Sequence, residues 1–100
     1  MLHHIVLWNF KEELSQDEKD MAATVMKEQL EALKSQVEGV VSLEVIIGGL
    51  PSGNKDIGLV SVFESAEALD AYQKHPAHVK AASYVGSVTC NRTCLDCEKE

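Results

Sequence analysis

The segment "YQKHPAHV", residues 72–79, concentrates side chains that can transfer protons. It contains one of the chain's two tyrosines, Tyr72, and two of its four histidines, His75 and His78. A histidine has an ordinary pKa of about 6.5, so it exchanges protons near neutral pH. A tyrosine can donate a hydrogen bond to an oxyanion that develops in an apolar pocket. The spacing therefore indicates acid–base chemistry on a carbonyl compound, with His78 as the base and Tyr72 as the donor.

The same segment also fits a purely structural corner between two helices. A tyrosine on a short amphipathic helix commonly packs into the core with its hydroxyl at the rim. The residue before a proline avoids helical backbone angles, so His75 and Pro76 favour a helix boundary. In this interpretation His78 bonds a backbone carbonyl and stabilises the turn, while His75 is exposed. Both interpretations remain open from these residues.

The elements that would position these side chains follow the order β-α-β-β-α-β. This order predicts an α+β, ferredoxin-like fold with one four-stranded antiparallel sheet, in a single domain over residues 1–100. Ser15 and Glu18 have the spacing of a capping box, and Ser65 suits a second helix start. The predicted strands are residues 2–10, 40–49, 57–64 and 84–98, and the predicted helices are 15–39, 65–74 and 76–82, with a turn at 50–56.

The second and third strands are apolar on both faces. Val45 and Ile46 alternate in one strand, and Leu59 and Val60 in the other, although a sheet with one solvated face would alternate with polar residues. The helices of one chain can cover one face. We therefore predict that a second copy covers the other, sheet against sheet, in a homodimer. The alternative is a twisted sheet with one face partly exposed.

A mostly apolar pocket is expected between the sheet and the helices. His4 has a second interpretation, because a lone histidine on an apolar face is often a hydrogen-bonded core residue. The predicted lining is His4, Val6 and Trp8 on the first strand, Leu59, Ser61 and Phe63 on the third, and Leu69 on the second helix.

Charge and composition exclude several kinds of partner. Nine basic and sixteen acidic residues give a net charge of −7, which disfavours nucleic acid and anionic membranes. No apolar run approaches the roughly 20 residues that span a bilayer. The first ten residues lack the features of a signal peptide. With three cysteines, an odd number, we expect free thiols in a reducing cytoplasm.

The cysteines suggest a further possibility, since Cys90, Cys94 and Cys97 have the spacing Cys-x3-Cys-x2-Cys. Such spacing can hold an iron–sulfur cluster. On a strand, however, Cys94 and Cys97 face opposite sides, while Arg92 and Asp96 share a face and could pair. We therefore predict no metal and no cofactor. A tail that left the sheet would make a zinc site feasible.

Several segments together resemble the stress-responsive dimeric α/β-barrel (Dabb) family, almost from end to end. They are "HHIVLWNFKEELS", "GVVSLEVIIGG", "FESAEALDAYQKHPAHV" and "RTCLDCE". The most specific part is "FES" followed by a short helix and "YxxHPxH". The resemblance implies this topology, a homodimer whose two sheets form a barrel, and an association with stress responses. A non-catalytic stress or assembly protein is the alternative to an enzyme.

Within that family, the corner is similar to that of a plant polyketide cyclase, olivetolic acid cyclase. That enzyme closes a linear polyketide by an aldol step without metal or cofactor. Tyr72 and His78 match its catalytic pair, and His4 matches a pocket histidine. Ile57 stands where the cyclase has a second histidine, and Trp8 is bulky for a lining position. The resemblance implies the place of the pocket, and not the cyclase reaction.

Overall fold

The computed structural model describes residues 1–99 and confirms the ferredoxin-like α+β order. Four antiparallel strands form one sheet in the order β2-β3-β1-β4. Within the described residues, no helix is both long and apolar enough to cross a membrane. The elements are β1 (Leu2–Phe10), α1 (Gln16–Ala32) with a 3₁₀ turn (Leu33–Ser35), β2 (Val40–Ile47), β3 (Ile57–Phe63), α2 (Ala66–Lys74), α3 (Pro76–Val88) and β4 (Thr89–Glu98).

Side-chain caps start each helix. The Ser15 hydroxyl accepts from Glu18 N at 3.1 Å, and the Glu18 carboxylate accepts from Ser15 N at 2.8 Å, which completes the predicted capping box. Ser65 accepts from Ala68 N at the start of α2. His75 ends α2 and caps α3, because its Nδ1 accepts from Ala77 N at 3.0 Å. The sharp corner between α2 and α3 therefore depends on His75 and on the proline that follows it.

The predicted start of the fourth strand at residue 84 is wrong. Residues 84–88 continue α3, and the strand begins at Thr89. Ala81 and Val85 are both buried and lie one helical turn apart, so packing against the core holds this stretch as helix. The Thr89 hydroxyl donates to Val85 O at 2.7 Å where the helix ends.

The helices cover one face of the sheet and leave the other without a layer. Alternate residues of β1, from Leu2 to Phe10, are buried on the helix side, while those between them are half-buried. The side chains of β3 alternate in the same way at most positions. On the uncovered side, Ile46 is 49% exposed and Leu95 is 59% exposed. One protomer thus has a covered inner face and an apolar outer face.

Candidate functional site

A cavity of about 340 Å³ lies between the inner face of the sheet and the corner of α2 and α3. This volume lies within the usual range of roughly 300–1,000 Å³ for small-molecule pockets. Its lining combines an apolar interior with a group of polar side chains. The lining residues are His4, Val6, Trp8, Leu30, Leu59, Tyr72, Gln73, His78, Ala82, Val85, Gly86, Thr89, Cys90, Asn91 and Arg92.

Most of the residues predicted for the pocket meet at this cavity. His78, Tyr72, His4, Val6, Trp8 and Leu59 all line it. Three others do not. Phe63 is covered by Tyr72, whose ring packs against it at 4.8 Å between centroids. The Ser61 hydroxyl donates to His4 O at 2.8 Å, and Leu69 is buried in the core. Leu59, Ser61 and Phe63 share the inner face of β3 as predicted, but the Tyr72 ring covers Phe63 at the end of the strand.

Tyr72 is completely buried and its hydroxyl has no hydrogen-bonding partner among residues 1–99. Burial raises the pKa of the Tyr72 phenol to about 12, so the group keeps its proton at any physiological pH. An unpaired buried hydroxyl costs about 1–3 kcal/mol relative to one that is hydrogen-bonded. A ligand oxygen that reaches this hydroxyl removes that cost.

His78 lies next to Tyr72, with ring centroids 4.4 Å apart. Its Nδ1 lies 3.2 Å from Gln73 O. Because a carbonyl oxygen can only accept, Nδ1 carries the proton and Nε2 keeps its lone pair. Burial lowers the pKa of His78, the Gln73 hydrogen bond opposes this, and charges on His4 and Arg92 lower it further. His78 is therefore a neutral imidazole with a free basic nitrogen near neutral pH.

His4 is a buried lining residue with a carboxylate partner. The His4 Nδ1 donates to Asp96 Oδ1, and the two residues lie directly opposite each other on β1 and β4. Within residues 1–99, Asp96 pairs with His4 and not with Arg92, so the predicted Arg92–Asp96 pair is wrong. The Asp96 carboxylate accepts this hydrogen bond and fixes the orientation of the His4 ring. His4 is thus a hydrogen-bonded core histidine that also lines the cavity.

A backbone irregularity lies on β4 next to lining residues of the cavity. The pairing of β1 with β4 shifts register between Leu7 and Asn9, and Asn91 has a positive φ of 54°. Asparagine tolerates this left-handed conformation better than most residues. The Asn91 amide donates to Asn9 Oδ1 at 3.2 Å, and Lys55 donates to Asn91 O at 2.9 Å. Bulges commonly redirect side chains beside functional sites.

Sequence reasoning missed several residues of the lining. They are Leu30, Gln73, Ala82, Val85, Gly86, Thr89 and residues 90–92. Asn91 was the available signal, because asparagine is enriched at the positive φ angles that occur where a strand is irregular. Strand alternation shows which face Asp96 lies on but does not give the register of β1 against β4. The sequence therefore could not show that His4 is its partner.

The three cysteines do not converge on one point. Cys94 is opposite Val6 on the inner face, whereas Cys97 is opposite His3 on the outer face. Cys90 lies nearer the cavity and its thiol contacts Phe10 O at 3.6 Å. Burial and the Asp96 carboxylate raise the pKa of the Cys94 thiol, and the Arg92 guanidinium opposes them. Without a further cation, the Cys94 thiol is thus protonated at neutral pH.

Strand order, helix placement and a cavity between sheet and helices define a ferredoxin-like α+β domain. The chain matches the Dabb family, described as the stress responsive A/B barrel domain, over residues 2–99. The protein therefore belongs to the Dabb family. No curated protein sequence matches the chain.

Solved structures share this fold over nearly the whole chain. A dimeric protein of ferredoxin-like fold from Bacteroides fragilis is 28% identical, with a TM-score of 0.92, and 98% of this chain and 95% of that chain are covered. A Dabb family protein from Mesorhizobium loti is 20% identical, with a TM-score of 0.76 and coverage of 99% and 96%. A hydroxynitrile lyase from Passiflora edulis is 15% identical, with a TM-score of 0.77 and coverage of 99% and 93%.

Proposed function

We propose that the cavity binds a small, largely apolar carbonyl compound and that the chain acts on it by acid–base chemistry without a cofactor. The observation that carries this proposal is the unpaired hydroxyl of the buried Tyr72 next to the neutral ring of His78. One group is held as a proton donor and the other as a base. Environments that push two neighbouring pKa values apart in this way are typical of acid–base pairs.

The proposed step begins with proton removal. The His78 Nε2 takes a proton from the carbon next to the substrate carbonyl. The electron pair of that C–H bond forms a carbon–carbon double bond, and the π pair of the carbonyl moves onto its oxygen. The Tyr72 hydroxyl donates a hydrogen bond to the oxyanion that forms. Return of the proton from His78 to the same carbon restores the carbonyl and completes the cycle. The chain neither gains nor loses electrons.

The walls restrict the substrate class. Val6, Trp8 and Leu59 line an apolar interior that suits a hydrocarbon or aromatic group. Arg92 and Asn91 also line the cavity, and a carboxylate or hydroxyl substituent could bind to them. The combination favours a small aromatic or branched ketone or aldehyde with one polar substituent.

Comparison with other proteins supports an enzyme on this fold without naming its substrate. The hydroxynitrile lyase from Passiflora edulis shares the fold at 15% identity, so this architecture carries a lyase in that protein. The stress-related description of the family also supports a stress-responsive role for this chain. We propose the cytoplasm as its location because its three cysteines are free thiols.

We also propose that the chain forms a homodimer through the outer face of its sheet. Val60, Ile5 and Leu95 are adjacent on β3, β1 and β4 of this face, in that order, and none of them is fully buried in the protomer. The relative from Bacteroides fragilis is dimeric. Burying two such faces against each other would remove a large apolar surface from water.

A non-catalytic corner is the second candidate function. The hydrogen bond between His78 and Gln73 O favours it, because this is the contact that a structural histidine would make. The two candidates differ in what the Nε2 atom does. In a structural histidine the Nε2 atom takes no part in a reaction, whereas in a catalytic base the lone pair of Nε2 accepts the substrate proton.

Proton exchange on a bound ligand tests the proposal directly. A panel of small aromatic and branched ketones is incubated in D₂O with wild type, His78→Gln, Tyr72→Phe and the control Tyr84→Phe. Tyr84 lies on α3 outside the cavity. We expect NMR to show catalysed exchange of the proton next to the carbonyl, lost in His78→Gln and kept in Tyr84→Phe.

Ligand affinity is measured on the same proteins. Tyr72→Phe should weaken binding about tenfold, as expected for one lost hydrogen bond to the ligand. Exchange that persists in His78→Gln, or no exchange and no binding across the panel, would overturn the proposal and favour the structural corner.

A further inference from the structure

Three side chains of different chemistry converge on the inner face of the sheet, at its β4 edge. The His4 Nδ1, the Cys94 Sγ and an Asp96 carboxylate oxygen all lie within 4.8 Å of one another. Strand pairing determines this arrangement. His4 is opposite Asp96, and Cys94 lies two residues before Asp96 on the same face of β4. The cluster is therefore built from the two neighbouring strands and does not depend on a loop.

We propose that His4, Cys94 and Asp96 form a binding site for a divalent transition metal, with Zn²⁺ as the expected ion. Imidazole, thiolate and carboxylate are the three ligand types that Zn²⁺ takes from proteins. Mg²⁺ and Ca²⁺ prefer oxygen ligands alone, so a site with one sulfur and one nitrogen selects against them. Three protein ligands leave the fourth tetrahedral position for water or a small ligand.

The two distances to the Cys94 sulfur are close to those around a small tetrahedral ion. Cys94 Sγ lies 3.8 Å from His4 Nδ1 and 3.7 Å from Asp96 Oδ1. Zinc bonds of about 2.0–2.3 Å at tetrahedral angles place neighbouring ligand atoms roughly 3.3–3.6 Å apart. The His4 Nδ1 donates a hydrogen bond directly to Asp96. The metal would replace that proton and separate the two groups.

Exposure provides both a rigid anchor and an entry path. His4 is 3% exposed, and its backbone carbonyl accepts a hydrogen bond from Ser61. Cys94 and Asp96 lie on the edge strand, where the Asp96 side chain is 43% exposed. An ion can therefore reach two ligands from solvent and complete its coordination on a fixed imidazole.

Charge also permits a cation here. The Cys94 thiolate and the Asp96 carboxylate together carry two negative charges when a metal is bound, which balance Zn²⁺. Cys97 is not part of this site, because it lies opposite His3 on the outer face. The site thus differs from any site made of the three cysteines.

Metal at Nδ1 would also fix what His4 presents to its other neighbours. A neutral ring with metal on Nδ1 carries its proton on Nε2, so Nε2 is then a hydrogen-bond donor. His4 lines the cavity, whereas Cys94 and Asp96 do not. The metal site and the cavity therefore share one residue and can be tested separately.

Metal titration of the 100-residue chain tests the site. Chelator-treated protein is titrated with Zn²⁺ against a chromophoric chelator, and separately with Co²⁺ while the absorption spectrum is recorded. We expect one equivalent of metal per chain, a thiolate-to-cobalt charge-transfer band, and visible bands typical of tetrahedral Co²⁺. Cys94→Ser should abolish the charge-transfer band, and both Cys94→Ser and Asp96→Asn should weaken Zn²⁺ binding by about tenfold or more.

The controls isolate the site from other thiols and from the cavity. Cys97→Ser, Cys90→Ser and Tyr72→Phe should bind Zn²⁺ as wild type does, and circular dichroism checks that each variant is folded. A wild type that binds no tighter than Cys94→Ser overturns the proposal. So does a charge-transfer band that survives Cys94→Ser but disappears in Cys97→Ser or Cys90→Ser. Either result leaves proton exchange by His78 unaffected.

Discussion

The imidazole ring of His78 packs against the phenol ring of Tyr72, with centroids 4.4 Å apart and planes inclined by 54°. The contact bridges the corner where α2 ends and α3 begins, at His75. Burial acts on the two rings in opposite directions with respect to proton affinity. It raises the pKa of Tyr72 to about 12 and lowers the pKa of His78. The corner thus holds a protonated donor and an unprotonated base in contact.

Removal of the Tyr72 hydroxyl should leave the protein as stable as wild type or make it more stable. The hydroxyl is buried without a partner in the described residues, so Tyr72→Phe relieves a desolvation cost and leaves the ring packing intact. We expect the free energy of unfolding in urea to be unchanged or to rise by up to about 1 kcal/mol. A fall of more than about 1 kcal/mol would show that the hydroxyl is a structural hydrogen-bonding group.

Acidification should cost stability through His78. Its folded pKa lies below the ordinary value of 6.5, mainly because burial disfavours the charged ring. The unfolded chain then binds the proton more readily than the folded one as pH falls below 6.5. The contribution is fully present above that pH and decreases down to the folded pKa. Urea denaturation from pH 7.5 to 5 should therefore show a steeper loss for wild type than for His78→Gln. Parallel pH profiles would contradict the buried, neutral state of His78.

Much of the fold was predictable because local rules and tertiary packing agree. The capping residues Ser15 and Ser65 start helices where their patterns indicate, and the parity of β1 identifies its buried face. The boundary between α3 and β4 was not predictable. Residues 84–88 form a short stretch whose apolar members, Tyr84, Val85 and Val88, suit either a helix or a strand. Only their packing against the core decides between the two.

The candidate site was partly predictable for the same reason. Spacing around Pro76 brings Tyr72 and His78 to one place, since both lie within a helical turn or two of the corner. The partner of His4 depends on the register of β1 against β4, which includes a shift between Leu7 and Asn9. A one-residue difference in register changes every cross-strand neighbour, so Asp96 could not be assigned from the sequence.

Gly39 should be sensitive to the smallest substitution. It has a φ of +87°, and an added Cβ would lie 2.7 Å from the Cβ of Ala68 on α2. Gly39→Ala therefore combines a strained backbone with a clash, and we expect it to destabilise the fold by about 1–3 kcal/mol in urea denaturation. Gly49→Ala is the matched control, because a Cβ there meets nothing within 4 Å. Equal losses in the two variants would contradict the close approach of Gly39 to α2.

A charge at the centre of the outer face should break the proposed dimer. Ile5 lies between Val60 and Leu95 on neighbouring strands, so Ile5→Glu places a carboxylate among apolar side chains. Two such groups, one from each copy, would be desolvated without partners at a cost of several kcal/mol. The protomer should still fold, because this face has no covering layer in one chain. Sedimentation equilibrium should give the dimer mass for wild type and the monomer mass for Ile5→Glu.

The control for this experiment is a charge on the opposite side of the molecule. Met21 on α1 is 66% exposed, so Met21→Glu adds the same charge without touching the outer face of the sheet and should remain dimeric. If Ile5→Glu and Met21→Glu dimerise equally well, the copies meet through another surface. If wild type is monomeric at every concentration tested, the outer face is exposed in solution. The half-exposed apolar residues on β1, β3 and β4 would then need another partner.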